Sequence, residues 1–231
     1  FYPFYRFIIE KHFFRLLCKK PLILLDAGCG PHICSVSKVP ENITAIGLDV
    51  SRKNIHLSHR KAKEKGYANF HFVVEALHIY PSRQTSLIFP SGDVLEHVPD
   101  KDKAIAEISR TCKYGAAFLG STSNSLNPIL FFDSFAPRSV VKTLAERFAP
   151  GHYERHRRYT PKKLIQTLQR LGFCVQNIKL LGFPPFQPWL YHYSNRKVPW
   201  YAYLWILFDK ITNKRPLNFL KEVMTFYAIK K

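Results

Sequence analysis

The stretch "LLDAGCGPH", residues Leu24 to His32, decides the fold of this chain. The apolar run before Asp26 has the length and composition of a strand that is buried on both faces of a parallel sheet. Gly28 and Gly30 follow that run with a single residue between them. Ligands of such sheets lie at the carboxyl ends of the strands, and a side chain at either glycine would fill the space that a ligand needs. The stretch therefore predicts a first strand that ends at a ligand site.

Strand and helix patterns alternate along the rest of the chain. Apolar runs of strand length occur at 44–50, 70–76, 86–91, 116–122, 173–181 and 223–231, and helical spacing occurs at 51–66, 101–112 and 160–172. In the last of these helices, Thr160 is a suitable N-cap, Pro161 takes the first helical position and Gly172 ends the helix. Such alternation predicts an α/β fold with a doubly wound sheet.

Asp49 ends the second predicted strand, 23 residues after Asp26, where an acid can accept hydrogen bonds from the hydroxyls of a ribose. A dinucleotide site is excluded because Ile33 stands where the third glycine of that motif belongs. A phosphate-binding loop is excluded because the motif G-x-x-x-x-G-K is absent. The pattern therefore implies a nucleotide-type ligand and leaves its identity open.

The chain is strongly basic, and its excess charge is unevenly distributed. Its 231 residues carry a formal net charge of +19, most of it in segments 1–20, 136–165 and 195–231. We expect a single domain over 1–231, because the composition changes nowhere and no linker is present. The basic segments suit an anionic partner, although a basic surface that serves only solubility would have the same composition.

Two segments rich in aromatic and basic residues lie outside the predicted strands. Residues 1–20 form an amphipathic helix pattern, and segment 184–218 mixes tryptophan and tyrosine with lysine and arginine before the last strand. This mixture is typical of a membrane interface, but a site for single-stranded nucleic acid, a packed lid or a dimer contact would have the same composition.

The run Val198–Phe208 is too short to span a membrane, and the five cysteines form no CxxC pair. We expect a cytoplasmic protein that associates peripherally with membranes.

The stretches "LLDAGCGPH", "IGLDVS", "FVVEA", "GDVLEHVPD", "AEISRTCKYGAAFLGST" and "RRYTPKKLIQTLQRLGFCV" together resemble the class I S-adenosylmethionine-dependent methyltransferases. The resemblance runs from about Leu22 to Leu181, with a final strand at 223–231. It implies S-adenosylmethionine as cofactor. It also implies a Rossmann-like sheet of seven strands in the order 3-2-1-4-5-7-6, with helices on both faces and an antiparallel last strand.

The resemblance also assigns roles to individual residues around the cofactor. Asp26, Gly28, Cys29 and Gly30 would shape the site for its methionine part, Asp49 would bind the ribose, Val50 would contact the adenine, Glu75 and Ala76 would meet the adenine edge, and Pro90 and Ser91 would face the methionyl group and the acceptor.

The acceptor side is expected in "GHYERHRRYT" and in the aromatic segment before it. His152 and His156 are candidate general bases, and an acidic acceptor would be bound by Arg155, Arg157 and Arg158. Alternatively, the stretch is a solvated start of a helix, and we predict no metal site there. Phe131 and Phe132 suggest an apolar acceptor, although the same residues would also suit an ordinary core.

We therefore expect a methyltransferase that acts on a small, lipophilic or acidic acceptor such as a quinone precursor or a lipid. Oxygen is the first expectation for the methylated atom and carbon the second. The charge of +19 leaves RNA methylation open, although no RNA-binding module is attached. An inactive cofactor-binding or partner protein also stays open, because His32 stands where this family usually has a third glycine.

Overall fold

The computed structural model describes residues 22–31, 41–76, 85–90, 94–148, 158–181, 207, 211–212, 216–221 and 223–231. The predicted helix within 1–20 lies outside these residues, as do most of segment 184–218 and the site candidates Ser91, His152, Arg155, His156 and Arg157.

Strands and helices alternate through the described residues, which confirms the α/β class. The strands are β1 (Leu22–Ala27), β2 (Ile43–Asp49), β3 (Phe70–Val74), β4 (Thr85–Pro90), β5 (Cys112–Ser123), β6 (Phe173–Leu181) and β7 (Val223–Lys230). The helices are α1 (Arg52–Glu64), α2 (Val94–His97), α3 (Lys101–Thr111), α4 (Pro128–Phe135), α5 (Arg138–Phe148) and α6 (Pro161–Arg170), with a 3-10 helix at Leu217–Leu220. The sequence patterns had not indicated α4 and α5, and they had placed Cys112 in a helix, whereas it begins β5.

The seven strands form one sheet in the order β3-β2-β1-β4-β5-β7-β6. Strand β1 pairs in parallel with β2 and β4, β2 pairs in parallel with β3, and β4 with β5. The register places Ala27 opposite both Leu48 and Pro90, and it places Asp49 opposite Val74. The carboxyl ends of β1, β2, β3 and β4 therefore lie along one edge of the sheet.

The chain divides into two compact units. The first comprises residues 1–121, 165–177 and 226–231, and the second comprises 122–164 and 178–225. A single domain over the whole chain stays a prediction.

Apolar side chains of the sheet and of α1 form the core of the first unit. A buried cluster contains Leu24, Ile43, Ala45, Ala62, Phe70, Ala117 and Leu119. Farther along the sheet, the ring of Phe118 lies 5.3 Å from that of Phe173 and 5.0 Å from that of Phe226. Gly120 lies so close to Phe226 that an added Cβ would come within 2.5 Å of that ring. The core is thus closely packed below the strand ends.

The predicted limits of α6 are confirmed in atomic detail. The backbone N–H of Lys163 donates to the hydroxyl of Thr160 at 3.1 Å, so Thr160 is the N-cap. Leu164 and Leu168 are buried, and Gly172 ends the helix with a φ of +81°.

Two buried asparagines organise the second unit. The side-chain amide of Asn124 donates to the carbonyls of Phe219 and Lys221, both at 2.7 Å. The amide of Asn127 donates to the carbonyl of Leu220 at 3.0 Å, and its own carbonyl oxygen caps the start of α4 by accepting from Leu130 N. These bonds attach the 3-10 helix to the start of α4.

In the residues that the structure describes, no helix has the length and apolar character needed to cross a membrane.

Candidate functional site

The turn Gly28–Pro31 follows β1 at the carboxyl edge of the sheet. Its first two backbone N–H groups, those of Gly28 and Cys29, donate to the carbonyl of Leu48 at 2.7 and 3.0 Å. Gly28 and Gly30 have φ values of +75° and +60°, in the left-handed region where L side chains are strained. The turn is therefore held against the end of β2 in a conformation that favours glycine at both positions.

The two glycines are required for different reasons. We expected both to keep space for a ligand, but a Cβ on Gly28 would come within 2.5 Å of Val94 Cγ2. Among the residues that the structure describes, none has a heavy atom within 4 Å of a Cβ built on Gly30. Gly28 thus makes room for a side chain of the protein, whereas the described surroundings of Gly30 leave space for a ligand to approach the backbone.

Asp49 at the end of β2 connects this turn to the start of α1. Its Oδ2 accepts from the backbone N–H of Gly30 at 2.9 Å. Its Oδ1 accepts from the backbone N–H of Ser51 at 2.8 Å and from the side chain of Asn54 at 3.2 Å. Each carboxylate oxygen can accept about two hydrogen bonds. Among the described contacts, Oδ2 makes one, so it retains capacity for a hydroxyl donor from outside.

The next candidates lie beside Asp49. Val50 exposes 73% of its surface. The backbone N–H of Glu75 donates to the carbonyl of Asp49 at 3.1 Å, and the Glu75 carboxylate accepts from Ala76 N at 3.3 Å. An apolar surface and two acids therefore lie near the open side of the turn.

The structure brings most of the predicted cofactor residues to one edge of the sheet. These are Asp26, Gly28, Cys29, Gly30, Asp49, Val50, Glu75 and Ala76, with the backbone of Pro90 at the end of the neighbouring strand. No metal-binding group of three His, Cys, Asp or Glu residues occurs in the described ranges.

The pKa of the Cys29 thiol reflects the charges and the burial at this edge of the sheet. Burial raises the pKa of its thiol far above the usual range, and the nearby Asp26 and Asp49 carboxylates raise it further. The thiol is therefore neutral at physiological pH and a poor nucleophile. The two carboxylates thus disfavour a further negative charge at this buried position.

The described acceptor-side candidates lie together in the second unit. Arg158 is half-buried, and its guanidinium donates to the carbonyl of Leu130 in α4 at 3.4 Å. Phe131 is 53% exposed, and its ring lies 4.6 Å from that of Phe135, which is 74% exposed. Phe131 is thus not an ordinary core residue. Phe132 lies on the same helix, and its side chain is outside the described residues.

Sequence patterns did not identify the residues of α1 and α2 that contact the turn and Asp49. On α1, Asn54, Ser58 and Lys61 contact Asp49 or the turn, but the segment had been treated only as a basic helix. Their spacing of four and three residues on a helix next to a site strand was the available signal. Val94 carried no comparable signal, because its contact with Gly28 joins separate parts of the chain.

Known proteins resemble this chain in sequence. A family model described as "Methyltransferase domain" matches residues 19–181. Two curated relatives are named ubiquinone biosynthesis O-methyltransferase. The relative from Vibrio vulnificus (strain YJ016) is 24% identical over 164 residues, 70% of this chain and 68% of its own. The relative from Vibrio cholerae serotype O1 (strain M66-2) is 26% identical over 165 residues, 71% of this chain and 65% of its own. The matches thus span about two thirds of the relatives' lengths.

Solved structures share the fold. The [4+2]-cyclase SpnF superposes with a TM-score of 0.66 at 17% identity, covering 99% of this chain and 81% of its own. Geranyl diphosphate C-methyltransferase from Streptomyces coelicolor A3(2) superposes with a TM-score of 0.65 at 15% identity, covering 98% and 77%. At these identities the likeness establishes the fold alone.

The different roles of the two glycines predict different costs of substitution. Gly28→Ala should lower the free energy of unfolding by about 2–4 kcal/mol, since strain at positive φ adds to overpacking against Val94. Gly30→Ala should cost only about 1–2 kcal/mol, because it meets strain alone. Urea denaturation measures both. The double variant Gly28→Ala with Val94→Ala should recover part of the steric cost, and equal losses at the two glycines would contradict the distinction.

Proposed function

This chain belongs to the S-adenosylmethionine-dependent methyltransferase family, and on that premise we propose that it methylates a small, lipophilic or acidic acceptor. Oxygen is the proposed target atom, with carbon as the second candidate. The observation that carries the proposal is the arrangement at the sheet edge. There the open side of Gly30, the Asp49 carboxylate and the exposed Val50 adjoin one another.

The residues at this edge match the parts of the cofactor. Asp49 would accept a hydrogen bond from a ribose hydroxyl through Oδ2, and the exposed Val50 would cover one face of the adenine. Glu75 and Ala76 would meet the adenine edge, where the Glu75 carboxylate can accept from the exocyclic amine. The open space at Gly30 allows the close approach that these contacts require.

Charge supports the same assignment. When bound, S-adenosylmethionine supplies an electrophilic methyl group on a positively charged sulfur. Asp26 and Asp49, whose carboxylates raise the pKa of Cys29, would stabilise that positive charge. Asp26, Cys29 and Gly30 would line the methionine part, with Gly28 contributing only its backbone, and Pro90 and Ser91 would face the methyl group and the acceptor.

The second unit would bind the acceptor. Phe131 and Phe132 on α4 would contact an apolar portion, and Arg158 would pair with an acidic group together with Arg155 and Arg157. An oxygen acceptor must lose a proton, and His152 or His156 would take it, which is worth about 10²–10⁴-fold in rate. The names of the curated relatives support an oxygen acceptor related to quinone biosynthesis.

The sheet and its additions complete the proposal. The family's antiparallel last strand would be β7, and its position between β5 and β6 supports this.

We place the protein at the cytoplasmic face of an anionic membrane, bound through 1–20 and 184–218. Exposed apolar side chains in the second unit support such a surface: those of Leu207 and Ile211 within 184–218, and those of Phe135 and Phe219 outside it. RNA methylation and an inactive cofactor-binding protein are the alternatives that the experiments below separate.

Replacing Asp49 tests the cofactor site. Asp49→Ala removes charge-assisted bonds worth about 1.5–3 kcal/mol, so the dissociation constant for S-adenosylmethionine should rise at least about tenfold. Calorimetry measures it, with Glu64→Ala on the exposed side of α1 as the matched control. An unchanged dissociation constant in folded Asp49→Ala would overturn the site assignment.

Turnover tests the acceptor class. With S-adenosylmethionine present, we expect formation of S-adenosylhomocysteine when the acceptor is a hydroxylated aromatic compound with an isoprenoid tail. The same compound without its tail should give a kcat/KM lower by about tenfold or more, because apolar contacts are lost. If RNA is the only acceptor that supports turnover, the protein is an RNA methyltransferase. If the cofactor binds but no acceptor supports turnover, the protein is an inactive cofactor-binding protein.

Vesicle binding tests the membrane surface. The protein should sediment with vesicles that contain anionic lipid, because each Lys or Arg near the headgroups contributes about 1 kcal/mol. Salt of about 0.5 M should weaken that binding by screening. Replacing Trp200 and Trp205 with Ser should weaken it at low salt, whereas Tyr114→Ser, at an 85% exposed position in the first unit, should not. Equal sedimentation with neutral and anionic vesicles would exclude the electrostatic mechanism.

A further inference from the structure

One polar face of α1 is directed at the cofactor site rather than at solvent. Asn54, Ser58 and Lys61 are spaced by four and three residues, which places them on the same side of the helix. Asn54 Nδ2 donates to Asp49 Oδ1 at 3.2 Å, Ser58 Oγ donates to the Gly30 carbonyl at 2.9 Å, and Lys61 Nζ donates to the Pro31 carbonyl at 2.9 Å. Successive turns of α1 thus contact successive parts of the site.

These contacts fix Gly30 on both sides. Its N–H donates to Asp49 Oδ2, and its carbonyl accepts from Ser58, whose side chain is fully buried. Glycine is the residue with the greatest conformational freedom, so an untethered turn would sample many conformations and lose entropy when a ligand binds. The polar face of α1 removes that freedom in advance.

We propose that Asn54, Ser58 and Lys61 are positioning residues for the cofactor. They act through Asp49 and through the carbonyls of the turn. The inference rests on the proposed cofactor site, which it extends to a helix face behind the site. The inference predicts that cofactor affinity depends on the Lys61 ammonium group, which donates to the Pro31 carbonyl at the end of the turn.

Lys61→Met is the decisive variant, because it removes the ammonium and keeps the aliphatic chain. The dissociation constant for S-adenosylhomocysteine, measured by calorimetry, should rise about three- to tenfold, the equivalent of one net hydrogen bond. Lys61→Arg should restore most of the affinity, since it keeps a donor. Lys63→Met is the matched control on the same helix, at an exposed position, and should bind like the wild type.

Ser58→Ala supplies a second measurement. Because Ser58 and Lys61 bond to neighbouring carbonyls of one turn, their effects on affinity should be non-additive in a double-mutant cycle. If Ser58→Ala fails to fold, the Lys61 series still decides the question.

The outcomes separate this inference from the proposal on which it rests. If wild-type protein fails to bind S-adenosylhomocysteine, the proposed cofactor site is wrong. If wild type binds but Lys61→Met binds equally well, the positioning role is wrong, and a lower melting temperature with unchanged affinity would show that the contact serves stability alone.

Discussion

The hydrogen bond from the Gly30 N–H to the Asp49 carboxylate is the constraint on which the site depends. It joins the turn after β1 to the end of β2, so two strand ends become one surface. Asp49 is itself oriented by Ser51 and Asn54, which couples the same carboxylate to the start of α1. Hydrogen bonds from two backbone N–H groups and one side chain thus orient the Asp49 carboxylate before any ligand binds.

The neighbouring groups follow from this arrangement. With Asp49 and Asp26 close to Cys29, the edge of the sheet disfavours added negative charge, and the buried thiol stays neutral. Burial and the two carboxylates together therefore keep the Cys29 thiol from acting as a nucleophile.

The fold is shared by proteins of different chemistry, since both a cyclase and a C-methyltransferase superpose on this chain. The chemistry of each must therefore come from the groups that its site presents. In this chain those groups belong to separate units. The strand ends of the first carry the candidate cofactor residues, and α4 and Arg158 in the second carry the described acceptor candidates.

The sequence by itself determined the α/β class, the first strand that carries Asp26, the role of Thr160 as N-cap and the end of α6 at Gly172. These features follow from local periodicity and turn chemistry, which act over a few residues. The helix α4 was missed because "NPILFFDSF" is apolar on most sides and shows no clear helical period. Only the tertiary structure decided that Gly28 faces Val94, that Ser58 bonds to Gly30 across 28 positions, and that Asn124 bonds to Lys221 across 97. Such contacts join residues that are distant in sequence, and no local pattern records which of them will meet.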